Sequence, residues 1–197
     1  MYKYEITKRI EEFAPLETQE DWDCSGWLVD VEDCNNIDKV MLCLTVTNDV
    51  VRQAKEQNCD MIISHHPLFF IPFNHLTFQP FNEINIYCAH TNLDKAKGGT
   101  TDTIIEKLDL KKYKIDIKHD FLRMVELKIT VNDFSKLLKK NFPNARLINP
   151  HPNPLPEREG VSCPLHKIAF CAGSGSEFIN DAKELGADCL VNHFINC

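Results

Sequence analysis

Two adjacent histidines, His65 and His66, follow the apolar run 61–63 and precede Pro67 in the segment CDMIISHHPLFF. Strand residues point alternately to opposite faces, so neighbouring imidazoles converge on one site only where a strand has ended. Pro67 favours this, because it holds His66 extended and discourages a helix there. A second segment, YCAHTNLD at 87–94, repeats the arrangement and puts His90 and Asp94 just past the apolar run 84–89. In parallel α/β sheets, ligands bind in the crevice beyond the carboxyl ends of the strands. Imidazole and carboxylate groups at two such ends point to a site for divalent metal ions. The donor set suits Zn, Fe, Mn, Ni or Co and does not choose among them. The competing reading is a hydrogen-bonded surface pair of histidines, and the second strand-end motif weighs against it.

Elements that would position these residues can be read on either side of them. Residues 4–14 have helical spacing through Ile6, Ile10 and Phe13, and 21–26 reads as a polar turn. Residues 39–46 (KVMLCLTV) read as a buried strand, and Thr47 can cap a helix carrying Val50, Val51 and Ala54 that ends near Asn58. With the strand at 61–64 this makes a βαβ unit, so those strands should be parallel. Residues 67–83 read as a loop covering the site. KGGTTD at 97–102 reads as a flexible turn leading into a helix with Ile104, Ile105 and Leu108 on its inner side.

The second half repeats the alternation: strand 123–131, a helix capped by Asn132 or Asp133, a short strand at 145–148, strand 167–172, a helix ended by Gly186, and a strand at 189–191. Residues 149–160 hold four of the ten prolines and exclude a helix or central strand. The expected fold class is α/β, a mixed or parallel sheet flanked by helices. The expected domains are a first half, 1–120, with the site motifs, and a second half, 121–197. No internal repeat stands out.

The chain has 197 residues and is 43% hydrophobic with net charge −7, ordinary for a globular protein. No basic run suggests a dedicated nucleic-acid surface. No apolar stretch is long enough to span a bilayer, and the N-terminus lacks a secretory signal. Nine cysteines, an odd number at irregular spacing without a CxxC pair, fit reduced thiols in a cytoplasmic protein better than a disulfide scaffold.

Other motifs weigh less. GSGSE at 173–177 reads as a strand-to-helix turn, although its N–H groups could face an anion. DWDCSGW at 21–27 reads as a capped turn with aromatic anchors. His75, His119, His151 and His166 stand alone. No Ser or Cys sits in a nucleophile elbow.

DWDCSGWLVD, LTVTNDVV, CDMIISHHPLFF and AHTNLDKAKGGTTD occur in the order seen in the NGG-interacting-factor-three-like family, and KIAFCAGSGSEFINDAKELGADCLV resembles its later segment. Bacterial members are often called GTP cyclohydrolase I type 2 homologues. The resemblance covers most of residues 1–191. It implies an α/β fold of two related halves, a dinuclear metal centre and self-assembly into toroidal hexamers. By the motif match, His65, His66 and Asp94 correspond to metal ligands, with Asp94 bridging the two ions. His90 corresponds to a nearby position, where it would orient Asp94 or a bound water and is the candidate catalytic base.

The family completes its site with a His and a Glu one helical turn apart near the C-terminus. Here the pattern breaks after Val191 into NHFINC. The resemblance therefore implies an incomplete site in a truncated or frame-disrupted member, with weak metal binding, little hydrolase activity and an uncovered apolar surface. His193 and Cys197 have i, i+4 spacing and are the substitute ligands to consider. Three functions compete: a metal-dependent hydrolase of an unknown small-molecule substrate, a non-catalytic metal-binding regulatory or assembly protein, and a remnant without function beyond its fold.

Overall fold

A computed structural model describes residues 1–68, 83–146 and 164–192. The Pro-rich stretch 149–160, the expected site loop from 69 to 82, His75, His151, His193 and Cys197 lie outside the described residues. The chain forms two compact units, Met1–Gly99 and Thr100–Cys197. Ile105 of the helix that begins at Thr100, and Leu108 just after it, are buried in the second unit's core.

The first unit contains α1 (Lys3–Phe13), β1 (Gly26–Val29), β2 (Val40–Cys43), α2 (Asn48–Glu56), β3 (Met61–Ser64), β4 (Asn85–Cys88) and α3 (Thr91–Lys95). Its sheet has the order β1-β4-β3-β2. β2, β3 and β4 are parallel, and β1 joins β4 antiparallel. Alternation along the strands gives each face a helix. Ile62 and Ile86 pack with Val51 and Ala54 of α2. Met61 and Tyr87 pack on the other face with Ile6 and Ile10 of α1. Thr47 caps α2 as its sequence predicts, accepting from the Val50 N–H at 3.2 Å.

Several expectations need correcting. Among the described residues β2 is an edge strand rather than a buried one, with Leu42 75% exposed. A short apolar run does not encode its place in a sheet. Phe13 is exposed, whereas Lys3 is fully buried: its ammonium donates to the Val31 carbonyl at 2.6 Å and pairs with Asp30 at 2.5 Å. The expected polar turn runs straight into β1, a strand too short for a period to declare it.

The second unit contains α4 (Thr100–Lys107), β5 (Lys114–Asp116), β6 (Arg123–Thr130), α5 (Val131–Asn141), β7 (Pro164–Phe170), α6 (Ile179–Glu184) and β8 (Cys189–Val191). Its sheet order is β5-β6-β7-β8, and only β7 and β8 are parallel. Val125, Leu127, Ile168 and Phe170 share one core with Phe134 of α5, and Met124 and Ala169 share another with Ala182 of α6. Thr130, not Asn132 or Asp133, caps α5 by accepting from the Asp133 N–H. Ala145 and Arg146 are not in a strand, and 147–148 lie outside the described residues. Both sheets are mixed and flanked by helices, the fold class the sequence leads one to expect.

Candidate metal centre

β3 ends at Ser64, but its ladder runs on for two residues. His65 N–H donates to the Cys43 carbonyl at 3.2 Å and His66 N–H to the Leu44 carbonyl at 2.8 Å. The Ser64 hydroxyl then closes a tight turn by donating to the His66 carbonyl at 3.0 Å. This lets two neighbouring imidazoles approach, with ring centroids 5.3 Å apart. β4 ends at Cys88, and Ala89 N–H still reaches the Ser64 carbonyl at 3.0 Å. His90 follows, its ring 5.1 Å from that of His65 and 5.8 Å from that of His66.

Asp94 is carried by α3. The N–H groups of Leu93 and Asp94 both donate to the His90 carbonyl at 3.0 Å. One helical turn therefore separates His90 from Asp94, and Asp94 is buried. Its Oδ1 lies 3.6 Å from His65 Nε2. Gly99 packs against this short helix: a Cβ there would sit 1.9 Å from the Leu93 carbonyl oxygen. Close approach is what Gly99 supplies, while Gly98 supplies a positive φ of 83°.

Each imidazole is anchored through Nδ1. That of His65 lies 3.0 Å from the Ala89 carbonyl, that of His66 2.7 Å from the Thr45 hydroxyl, and that of His90 2.9 Å from Asp23 Oδ1. A carbonyl can only accept, so His65 Nδ1 carries the proton and Nε2, the nitrogen facing Asp94, keeps its lone pair. Burial lowers the His65 pKa, with the charge of Asp94 opposing it only in part, so the ring favours the neutral form a metal needs. Burial also works against ionisation of Asp23, but hydrogen bonds from His90 and Thr91 outweigh it and hold that carboxyl well below the usual range.

One potential ligand atom from each of His65, His66 and His90 lies within 4.8 Å of the others, the one such group found among the described residues. The residues fit a divalent ion: three half-buried imidazoles converge, and Oδ1 of the buried Asp94 faces His65 Nε2. The group of converging ligand atoms contains no thiol. Burial pushes the pKa of Cys24, Cys43 and Cys88 up, which keeps them protonated. None of the seven described cysteines is assigned to a disulfide among the described residues.

Asp23, Ser25, Thr45 and Asn92 were not foreseen as part of this arrangement. Asn92 donates to the Ala14 carbonyl at 2.8 Å and accepts from the His90 N–H at 3.0 Å. The signal for Asp23 was present in DWDCSGW, but nothing local says that β1 lies beside β4 and so brings this segment to His90. His119 stacks near Phe121 and Phe178 in the second unit and takes no part. GSGSE forms a turn and a single 3-10 segment, Ser176–Phe178.

Comparison with known proteins gives a consistent picture. The family described as Duf34/NIF3 (NGG1p interacting factor 3) matches residues 1–192. A GTP cyclohydrolase 1 type 2 homolog of Clostridium perfringens is 33% identical over 98% of this chain and 79% of its own length. One from Clostridium acetobutylicum is 31% identical over 92% and 72%. Among solved structures, hypothetical protein SA1388 of Staphylococcus aureus matches with a TM-score of 0.80 at 23% identity, covering 100% of this chain and 80% of that one. At that identity the likeness speaks for the fold alone.

Proposed function

The chain belongs to the Duf34/NIF3 family, and from that premise we propose that it is a divalent-metal-binding protein whose ions are held by His65, His66 and Asp94, with His90 beside them. The convergence of three half-buried imidazoles, with one ligand atom of each within 4.8 Å of the others, carries the reading. The 3.6 Å spacing of His65 Nε2 and Asp94 Oδ1 supports a carboxylate in the same coordination sphere. Zn, Fe, Mn, Ni and Co all accept such donors.

The finer reading is a dinuclear centre bridged by Asp94 in a metal-dependent hydrolase of a small molecule. When bound, the metal would lower the pKa of a coordinated water to near neutrality. His65 and His66 would orient the ions through their anchored Nδ1 atoms, and His90, paired with Asp23, would hold or move a proton. The names of the Clostridium relatives suggest GTP-cyclohydrolase-like chemistry as the first substrate class to try.

Self-association belongs to the same proposal. Leu42 and Leu44 on and just after the edge strand β2 offer exposed apolar surface. Residence in the cytoplasm is the compartment that suits nine cysteines, an odd number at irregular spacing without a CxxC pair. Among the described residues, no helix is long and apolar enough to cross a membrane.

Titration of metal-free chain with Zn²⁺, Mn²⁺ and Co²⁺ tests the reading, followed by GTP turnover in the loaded protein. Saturable binding that disappears in His66→Ala is the expected result. Absence of binding by all three ions would overturn the metal reading. Binding without turnover would leave the non-catalytic alternative. Sedimentation of wild type and Leu42→Lys at micromolar concentration tests self-association.

A further inference from the structure

We infer that Asp23 is the positioning residue of this centre: its buried carboxylate holds His90 in the tautomer that keeps a lone pair on Nε2, and it ties down the start of the helix that carries Asp94. The inference rests on the metal-binding reading and adds to it a residue from outside the strand-end motifs.

The Asp23 side chain is completely buried. Its Oδ1 accepts from the Cys24 N–H at 2.7 Å and lies 2.9 Å from His90 Nδ1. Its Oδ2 accepts from the Thr91 N–H at 3.0 Å, the Thr91 hydroxyl at 2.5 Å and the Ser25 hydroxyl at 3.0 Å. An ionised carboxylate only accepts. The proton between Asp23 and His90 therefore sits on His90 Nδ1, and the neutral ring keeps its lone pair on Nε2. An imidazole fixed in this way by a carboxylate has a set orientation and a raised basicity, as imidazoles at metal centres do.

The same carboxylate acts on α3. Thr91 is the first residue of that helix, and its N–H is one of those a helix cannot satisfy internally. Five residues are too few for a helix to stand alone, so its start must be held by tertiary contacts. Asp94 lies within the single turn that Asp23 holds at one end. Asp23 thus sets a ring nitrogen and a carboxylate together.

Asparagine cannot replace it silently. One orientation of the amide turns its NH₂ toward the Cys24 N–H, and the other toward the Thr91 N–H. Each sets donor against donor in a buried place. In the first orientation His90 relieves part of the conflict by moving its proton to Nε2, which removes the lone pair from the site.

Long-range ¹H–¹⁵N spectra of the metal-free full chain near pH 7 read the tautomer directly. In the wild type, His90 is expected as the Nδ1–H form. Asp23→Asn is expected to lose that pattern and to bind Zn²⁺ roughly 10–100-fold more weakly, the usual cost of losing a partner behind a ligand. Circular dichroism checks that the variant is folded. If it is not, the wild-type tautomer decides alone. An Nε2–H form of His90 in the wild type would overturn the inference, as would a folded Asp23→Asn chain with unchanged tautomer and unchanged Zn²⁺ affinity. Failure of the wild type to bind Zn²⁺ would sink the metal reading while leaving the tautomer result readable.

Discussion

In the first unit, the Asp60 carboxylate accepts from the N–H groups of Asp38 and Lys39, while its own N–H donates to the Lys39 carbonyl. In the second unit, Asp188 does the same with His166 and Lys167. The helices before these residues end alike. Cys59 N–H reaches the Ala54 carbonyl at 2.8 Å, and Ala187 N–H reaches that of Ala182 at 2.9 Å. Asn58 and Gly186 bond back to Lys55 and Lys183, both with positive φ, as in a Schellman cap. The stretches from Lys39 to Ser64 and from Lys167 to Asn192 are equal in length, although a 3-10 segment and the shorter α6 stand in the second where α2 stands in the first.

They differ in what surrounds the returning strand. β3 lies between two parallel neighbours and is mostly buried, whereas β8 pairs with β7 alone among the described residues and is half-exposed. The strand–helix–strand scaffold is therefore not what makes the candidate centre. The centre needs β4 beside β3 to supply His90, and β1 beside β4 to bring Asp23. The position of a strand in its sheet decides whether its carboxyl end meets other functional groups or solvent.

The sharpest test of that conclusion removes the groups at the end of β3. His65→Ala and His66→Ala should each weaken Zn²⁺ binding by more than the roughly 10–100-fold expected for losing a partner behind a ligand. Asn192→Ala, at the matching end of β8, should leave affinity within about twofold, against the tenfold that 1.4 kcal/mol represents. Isothermal titration of the three variants decides it. Equal losses at both ends would mean that the interior position of β3 is not what matters.

A core substitution probes the same contrast through stability. Ile62 of β3 is fully buried, while Leu190 in the same register of β8 is only partly buried. Ile62→Ala should cost about 2–5 kcal/mol. Leu190→Ala should cost less than half as much, because it removes less buried area and leaves no closed cavity. Urea unfolding followed by circular dichroism measures both, provided the two units are resolved as separate transitions.

The apolar faces of β3 and β4 and the strand-end motifs were legible because they are local: apolar runs, a Pro after the second His, an imidazole followed by a carboxylate. Thr47 as a cap was legible for the same reason. What escaped depends on pairing between distant segments. β1 is four residues long and declares itself only by bonding to β4. Asp23 looked like turn chemistry until that pairing put it against His90. β2 looked buried because an apolar run carries no record of whether a neighbour stands on both sides. The match between the two capped helix ends was hidden too, since it lies mostly in backbone hydrogen bonds, and little beyond Ala-Lys-Glu at 54–56 and 182–184 is identical there.

Acid provides a further contrast, smaller than the core substitutions. Asp23 and Asp188 both have lowered pKa values. For Asp23, burial opposes the lowering and the bonds from His90 and Thr91 outweigh it. For Asp188, burial opposes it and the His166 and Lys167 N–H groups outweigh it. A carboxyl whose folded pKa lies below its unfolded value, about 3.9, stabilises the fold above that pH. That stability is lost as pH falls through the folded pKa. Thermal melts of metal-free chain from neutral pH into acid should show a loss beginning near pH 4. Asp23→Asn should flatten this acid limb more than Asp188→Asn, because Asp188 is largely exposed and screened by solvent. Equal flattening would show that the two carboxylates are equivalent in spite of their surroundings.

The smallest expected effect comes from exchanging the residues at the two helix ends. Asn58 has φ 54° and Gly186 has φ 82°, and both are exposed. Asn tolerates this left-handed region better than other residues with a side chain, because its short amide can bond locally. Asn58→Gly relieves the remaining strain but adds freedom to the unfolded chain, and the two nearly cancel. Gly186→Asn has room, since a Cβ there would meet nothing nearer than the Lys167 ammonium at 3.8 Å, but it takes on the strain. Each exchange should shift stability by less than about 1 kcal/mol, the scale of a glycine substitution. Gly186→Ala separates the contributions, because Ala brings the Cβ without the amide and should be less stable than Gly186→Asn. Urea midpoints measure all three. If Gly186→Asn costs several times more than Asn58→Gly gains, the caps are alike in hydrogen bonding but not in the backbone they tolerate. In that case the second unit's helix end depends on glycine in a way the first unit's does not.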